Sequence, residues 1–294
     1  METTLSSQEN HRYLREKAGY FFLKDLCLIS AEGSDLFSYL QTQTTNDVNE
    51  LKPGQGQNNA IVDRKARVIS TFSLHRTGEE SAVILVETQQ KENLLDHLNS
   101  FLFREDVTLT LSNHFVLALQ GPKSQEIIKN FTRSDDSIPE KPNDICGFTF
   151  EGLPALAIAK SLTGEEGCVL VFQTESENPI SKKLLEFEQQ NLLTHIDPHA
   201  QEVFRIESGI PSYGKDINDK NILPETGLEH SSVSYNKGCY IGQEVIARIK
   251  TYGAPNFALM GLIIEGDTLP LHDDEIKLNS KKLGVIKSSI FSYS

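Results

Sequence analysis

The stretch Lys237-Gly238-Cys239-Tyr240-Ile241-Gly242-Gln243-Glu244 carries the most specific information in the 294-residue chain. Its two glycines, Gly238 and Gly242, allow the backbone to turn sharply or to approach a ligand closely. Apolar residues recur at helical spacing after Gly242, which predicts a helix that begins there. Cys239 would then lie near a helix N-terminus and two residues from Lys237, and both features favour a thiolate. The alternative is a small buried cysteine in a simple turn.

Four further blocks lie upstream of this stretch, and their order along the chain matters as much as their content. They are LQTQTTNDV at 40–48, LQGP at 119–122, TGEEG at 163–167 and RIESGIPSYGKD at 205–216. Together with the KGCYIGQE core, these blocks resemble the YgfZ family of folate-binding proteins, which is related to the T-protein (aminomethyltransferase) of the glycine cleavage system. The resemblance runs from about residue 21 to residue 264.

The pattern of short strands and amphipathic helices predicts an α+β protein. Helical spacing is clearest at 88–102 and 178–193, and strand patterns occur at 68–74, 153–159 and 168–172, which favours two ferredoxin-like α+β sandwiches. The resemblance implies a T-protein-like three-lobed cloverleaf. Its lobes are expected at 1–112, at 113–255, which includes the KGCYIGQE core, and at 256–294, and the first two lobes could interleave along the chain.

The third lobe is expected to be a small C-terminal β-barrel. Short strands are predicted at 258–264, 275–278 and 283–290. Members of the family usually continue by another hairpin beyond the 284–289 segment, so the resemblance implies a short and incomplete barrel in this chain. Open sheet edges would then need to be covered by another element.

Composition excludes several classes of protein. The chain has 28 basic and 41 acidic side chains, a net charge of −13, which argues against a protein that coats nucleic acid. No apolar run approaches the roughly 18 residues of a membrane helix, and the N-terminus lacks the apolar core of a signal peptide. The four cysteines are far apart and lack metal-ligand spacing, which predicts free thiols and no bound metal. We therefore expect no membrane association and, for a bacterial source, a cytoplasmic location.

The resemblance implies that a central opening holds tetrahydrofolate or a derivative. A pterin presents a ring N–H beside an exocyclic amine, a donor pair that suits a carboxylate. Glu165 occupies the position of the pterin-binding glutamate of the T-protein, and Arg205 matches the family arginine that faces the folate. Lys237 would screen the folate tail or tune Cys239, and Tyr240 would offer a flat surface to the pterin.

Each of these residues also has a structural interpretation. Glu165 could be a solvated carboxylate in an acidic turn, and Arg205 could pair with Glu202 or Glu207 on its own helix. Tyr240 could belong to the core.

One departure from the T-protein concerns its active-site acid. Alignment of the "Asp-Asp" strand of the T-protein with 65–76 puts Ser70 and Thr71 at the two carboxylates. Hydroxyls cannot supply the charge of a carboxylate near neutral pH. The nearest acid, Asp63, lies in the preceding turn and would have to reach around the strand. The sequence therefore disfavours aminomethyl transfer.

The leading hypothesis is a folate-dependent accessory protein for iron–sulfur cluster assembly or repair, which affects cluster-dependent enzymes such as tRNA-modifying ones. Its partners would be folate and iron–sulfur assembly or client proteins, and Cys239 would be its functional thiol. One cysteine in the motif cannot hold a cluster alone. The alternatives are a folate-dependent aminomethyltransferase-like one-carbon transferase and a structural adaptor without a ligand.

Overall fold

The computed structural model describes residues 6–132 and 138–293. The helices are α1 (Ser7–Glu16), α2 (Leu36–Gln43), α3 (Lys91–Ser100), α4 (Ser124–Ile128), α5 (Glu177–Gln189), α6 (Pro198–Glu207), α7 (Glu229–Ser232) and α8 (Gln243–Tyr252). The strands are β1 (Gly19–Phe22), β2 (Leu26–Glu32), β3 (Gly56–Val62), β4 (Val68–Arg76), β5 (Ser81–Glu87), β6 (Thr108–Ser112), β7 (His114–Gln120), β8 (Ile145–Phe150), β9 (Leu153–Ala159), β10 (Gly167–Gln173), β11 (Thr194–His195), β12 (Glu275–Leu278) and β13 (Lys281–Val285).

The first large sheet has five antiparallel strands in the order β3-β4-β5-β2-β6. Successive side chains of a strand point to opposite faces, so each strand contributes to two separate cores. On one face, Leu74 and Ile84 pack against Leu40 of α2 and Leu94 of α3, and all four are fully buried. Helices α2 and α3 thus cover the outer face of this sheet.

The second large sheet has six strands in the order β11-β1-β7-β10-β9-β8. Its outer face is covered by α4 and α5, where Leu170 and Phe172 pack against Ile128 and Leu184. The inner face meets the first sheet, because Val169 and Ile158 share a cluster with Leu85. The result is a layered arrangement of helices, sheet, sheet and helices, and the predicted α+β class is confirmed.

The N-terminal segment belongs to the second sheet, not to the first. Strand β1 pairs antiparallel with β7 and parallel with β11. Helix α1 packs against α6 through a cluster that contains Leu14 and Phe204. The lobes are therefore interleaved, and the first sheet is built from residues 26–112 instead of beginning with residue 1.

The C-terminal region contains one two-stranded sheet, β12–β13, in its described part. The predicted strand at 258–264 is wrong, because the structure assigns no strand there. Leu259 donates its backbone N–H to the Glu225 carbonyl at 2.8 Å, while Ile263 is fully exposed. An apolar run forms a strand only where a neighbouring strand accepts its ladder, and the described residues supply none. No helix of the described chain has the length and apolar character needed to cross a membrane.

Candidate functional site

The KGCYIGQE core and the LQTQTTNDV block contact each other in the structure. The Lys237 ammonium donates hydrogen bonds to the backbone carbonyls of Thr44 at 2.6 Å and Asn46 at 2.8 Å. Burial lowers the pKa of Lys237 to about 8, an effect that the Asp47 carboxylate partly offsets. Thr45 adds a hydrogen bond from its hydroxyl to a carbonyl of the 231–234 segment. The ammonium thus joins the LQTQTTNDV and KGCYIGQE blocks, and the structure places it on these carbonyls.

Tyr240 is a core residue of the same unit. It is 8% exposed and packs in a cluster with Ala60, Val62 and Ile246, against the inner face of the first sheet. Its ring also lies 5.2 Å from the Lys237 ammonium. This arrangement matches the structural interpretation of Tyr240, while its contact with a pterin stays a prediction.

Gly242 sets the start of helix α8. It is the N-cap residue, with φ of 84°, and α8 begins at Gln243, as the sequence predicted. A Cβ at this position would lie 2.5 Å from the Asp63 carbonyl oxygen, so the backbone of the first sheet presses directly on the glycine. Gly238 has no such neighbour within 4 Å.

Cys239 is exposed on this unit, three residues before the N-cap of α8. The other cysteines lie elsewhere: Cys27 and Cys146 are partly buried and Cys168 is fully buried. None of these four cysteines forms a disulfide bond. Within residues 6–132 and 138–293, no group of three His, Cys, Asp or Glu side chains could hold a metal ion.

Arg205 is bound inside the protein through every donor that it has. A guanidinium carries five N–H groups. Two of them form a bidentate pair with Glu202, at 2.8 and 2.9 Å, and two others contact the Ile210 carbonyl and the Asp216 carboxylate at 2.6 Å each. The fifth faces the Ser288 hydroxyl at 3.3 Å. A folate contact for Arg205 would therefore have to displace one of these partners.

Glu165 is also paired. Its carboxylate accepts a hydrogen bond from Arg15 of α1 at 2.6 Å, and the same guanidinium contacts Glu207 at 2.9 Å. Burial opposes the charge of Glu207, but hydrogen bonds from Ser292, His11 and Arg15 outweigh it and lower the pKa of Glu207 to about 2. Glu207 lies two residues after Arg205 on α6, so the two side chains leave the helix on different faces.

Ser70 and Thr71, the two hydroxyl residues that the resemblance aligns with the acid of the T-protein, both lie on β4. Ser70 is fully buried, and its hydroxyl has no partner among the described residues. Thr71 is held by Gln90, whose side-chain oxygen accepts its backbone N–H at 2.8 Å. Asp63 caps its own turn by accepting backbone N–H groups of Lys65 and Arg67 at 2.8 and 2.9 Å.

The structure places two charged residues, Glu87 and Lys160, on a surface that the sequence analysis missed. Two apolar clusters lie on the inner face of the first sheet: one contains Tyr240, and the other is shared with the second sheet. A strip of polar residues lies between these clusters. We call this the central polar strip; its members are Asn58, Thr71, Ser73, His75, Glu87, Lys160 and Tyr213. Alternating polar residues along β4 are the signal in the sequence for this strip, but Lys160 comes from the other lobe and has no such signal.

Lys160 reaches across from the end of β9 to the first sheet. Its ammonium donates to the Ser73 hydroxyl at 3.2 Å, and Ser73 bonds His75 Nε2 at 3.0 Å. His75 Nδ1 faces the Asn143 carbonyl at 2.9 Å, so this nitrogen carries the proton and Nε2 accepts one from Ser73. Burial and the nearby Lys160 charge lower the pKa of His75 to about 3, which keeps it neutral. The relay fixes the ammonium in place.

Glu87 ends β5 on the same face. Its carboxylate accepts a hydrogen bond from Gln89 at 2.9 Å, and the backbone N–H of Tyr213 also points to it. Burial raises the pKa of Glu87, and these two donors together with Arg205 and Lys160 oppose that rise. Burial likewise lowers the pKa of Lys160 to about 8, with the Glu87 charge opposing.

Comparison with known proteins gives the family. The model of the GCVT N-terminal domain matches residues 2–237, and the chain belongs to this family. An aminomethyltransferase of Bacillus cytotoxicus is 27% identical over 291 residues, with 96% of this chain and 77% of that protein covered. An aminomethyltransferase of Halalkalibacterium halodurans is 26% identical over 284 residues, with the same coverage. The predicted relation to the T-protein is thereby confirmed.

A solved structure supports the fold. The crystal structure of the glycine cleavage system aminomethyltransferase T from Bartonella henselae superimposes with a TM-score of 0.74 at 19% identity. The alignment covers 85% of this chain and 68% of that chain. The T-protein-like fold predicted from the sequence is confirmed by this similarity.

Proposed function

We propose that this chain binds a reduced folate, tetrahydrofolate or a derivative, where the two sheets meet the segment that carries the KGCYIGQE core. Two observations support the proposal: the five sequence blocks resemble folate-binding proteins, and the chain belongs to the GCVT N-terminal domain family. The observation that carries it is the central polar strip, because a carboxylate and an ammonium there lie in an otherwise apolar junction. The N–H groups of a pterin can donate hydrogen bonds to the carboxylate, and the oxygens of the ring or of the carboxylated tail can accept them from the ammonium.

Aminomethyl transfer is the chemistry that the names of the relatives favour. In this reading, the chain transfers a one-carbon unit from an aminomethyl donor to the bound folate, in the manner of those enzymes. The hydroxyls of Ser70, which is buried, and Thr71, which is partly buried, oppose it, because neither supplies the charge of the acid that the resemblance places there.

A second candidate is a folate-dependent accessory protein for iron–sulfur cluster assembly or repair, with assembly or client proteins as partners. Two observations favour it: the match to the KGCYIGQE motif and the exposure of Cys239, which leaves the thiol open to a partner. The described thiols lie in separate parts of the fold, so Cys239 would act as a transient or redox-responsive ligand.

Titration calorimetry with tetrahydrofolate tests the binding proposal. We expect saturable binding by the wild type, and at least tenfold weaker binding by Glu165→Gln if the predicted pterin contact is correct. Glu166→Gln is the matched control, because Glu166 is the exposed neighbour in the same turn. Absence of binding by the wild type would reject the proposal and leave the structural adaptor.

Two further assays separate the candidates. Turnover of an aminomethyl donor with tetrahydrofolate as acceptor supports the transferase, and its absence under saturating folate rejects that reading. For the accessory protein, Cys239→Ala should keep wild-type folate affinity and lose complementation of a deletion strain with low activity of iron–sulfur enzymes. Full complementation by Cys239→Ala would reject a role of the thiol.

A further inference from the structure

We propose that Glu87 and Lys160 are the two charged groups that contact the ligand, with Glu87 accepting hydrogen bonds from ligand N–H groups and Lys160 donating to a ligand carbonyl or carboxylate. The inference rests on the proposed function and names the residues that recognise the folate. The ligand class is a heterocycle with adjacent N–H donors and an oxygen acceptor.

The position of Glu87 follows from strand register. Strands β4 and β5 are antiparallel, with Phe72 paired to Val86 and Ser73 to Leu85. One register step further, Thr71 and Glu87 are neighbours, and both lie on the face of Ser73 because side chains alternate. Thr71 is one of the two positions where the aligned T-protein strand carries its acid. Glu87 therefore places a carboxylate on the same face as Thr71, on the neighbouring strand.

Lys160 supplies the cation. Of its three N–H donors, one is used by Ser73, and no carboxylate of the described residues lies within 4 Å of it. An enclosed ammonium without a close anion or a full set of acceptors is costly for a folded protein. The relay through Ser73 and His75 holds this ammonium in one place, with two donors left for a ligand. Lys160 and Glu87 are both partly exposed residues.

The two residues predicted from the family motif are less available than this pair. All five N–H groups of Arg205 donate hydrogen bonds to protein acceptors. The Glu165 carboxylate forms an ion pair with the Arg15 guanidinium, with an N–O distance of 2.6 Å. Glu87, in contrast, faces two neutral donors, and the charges of Arg205 and Lys160 act on it over longer range. The charge that is free to recognise a ligand therefore lies in the central polar strip.

Calorimetric titration of the full chain with tetrahydrofolate at pH 7 tests the inference. We expect Glu87→Gln and Lys160→Met each to raise Kd at least tenfold, which corresponds to about 1.4 kcal/mol. The controls are Glu80→Gln and Lys182→Met, exposed residues at the far end of β5 and on α5, and both should bind like the wild type. Wild-type affinity in both test variants overturns the inference and leaves the proposed function intact; a wild type that does not bind overturns both.

A thermal unfolding scan without ligand separates recognition from a structural role. Removing an ammonium that lacks a close anion should raise the Tm of Lys160→Met above that of the wild type, while folate affinity falls. A structural lysine would give the reverse, a lower Tm with unchanged affinity in the folded fraction, and that result contradicts the inference. Lys160→Arg keeps the charge and should retain more affinity than Lys160→Met.

Discussion

The two glycines of the KGCYIGQE core should respond very differently to the same substitution. In Gly242→Ala, the new Cβ would lie 2.5 Å from the Asp63 carbonyl oxygen and 2.7 Å from a methyl group of Val62. The backbone φ of 84° adds strain, because side chains with a Cβ rarely adopt that region. In Gly238→Ala, the new Cβ would meet no atom within 4 Å.

The magnitude follows from these contacts. A left-handed conformation costs a non-glycine residue about 1–2 kcal/mol, and forcing a methyl group into a packed region costs about 1–3 kcal/mol more. The free energy of unfolding of Gly242→Ala should therefore fall by about 2–5 kcal/mol. Gly238→Ala should change the free energy of unfolding by less than about 1 kcal/mol. Any change should be an increase, because alanine lowers the conformational entropy of the unfolded chain.

Urea unfolding followed by far-UV circular dichroism measures both variants, with the wild type as reference. If Gly242→Ala is too unstable to purify, its soluble yield compared with Gly238→Ala gives the same order. Equal losses in the two variants would show that the contact of Gly242 with the first sheet does not govern the stability of this unit.

Three other substitutions test the charged groups. Because the folded pKa of Lys160 is about 8 and its ordinary value is 10.5, the unfolded chain binds its proton more tightly between these values, and the stability of the wild type should rise from pH 8 to pH 10.5. In urea titrations, Lys160→Met should lack that part of the rise, up to about 3 kcal/mol, and an unchanged pH profile would contradict this. Lys237→Met should instead lower stability by about 1–3 kcal/mol at pH 7, since two backbone carbonyls lose their donor; a loss below about 0.5 kcal/mol would show that water replaces it. Arg205→Lys should lower the Tm, because an ammonium cannot form the bidentate pair with Glu202, and an unchanged Tm would refute that the pair contributes.

Local patterns predicted the elements that depend on local physics. The spacing of apolar residues placed a helix at 88–102, and the structure has α3 at Lys91–Ser100 after a short turn of 3₁₀-helix at Thr88–Gln90. The Gly242 signal placed the start of α8 correctly, because a left-handed glycine at a helix start is a local property. The five motif blocks then identified the family through their order.

Contacts between distant segments were beyond the reach of such patterns. Glu87 and Lys160 are separated by more than seventy positions and come from different sheets, so no local spacing could pair them. The partner of Glu165 is Arg15, from a helix that no motif placed beside it. For Arg205, the Glu202 partner was foreseen from helical spacing, but Asp216 and Ser288 were not. The strand expected at 258–264 failed for the same reason, since an apolar run does not reveal whether a second strand lies beside it.

The placement of β1 has a consequence for how the chain matures during synthesis. Strand β1 leaves the ribosome well before β7 and β11, between which it must later insert. All strands of the first sheet are translated between β1 and β7, so this sheet can fold before β1 has a partner strand. Until β7 has been translated at residues 114–120, the aromatic side chains of β1 have no strand of their own sheet to pair with. The apolar side chains of β1 therefore stay exposed longer than those of the first sheet while the chain is made.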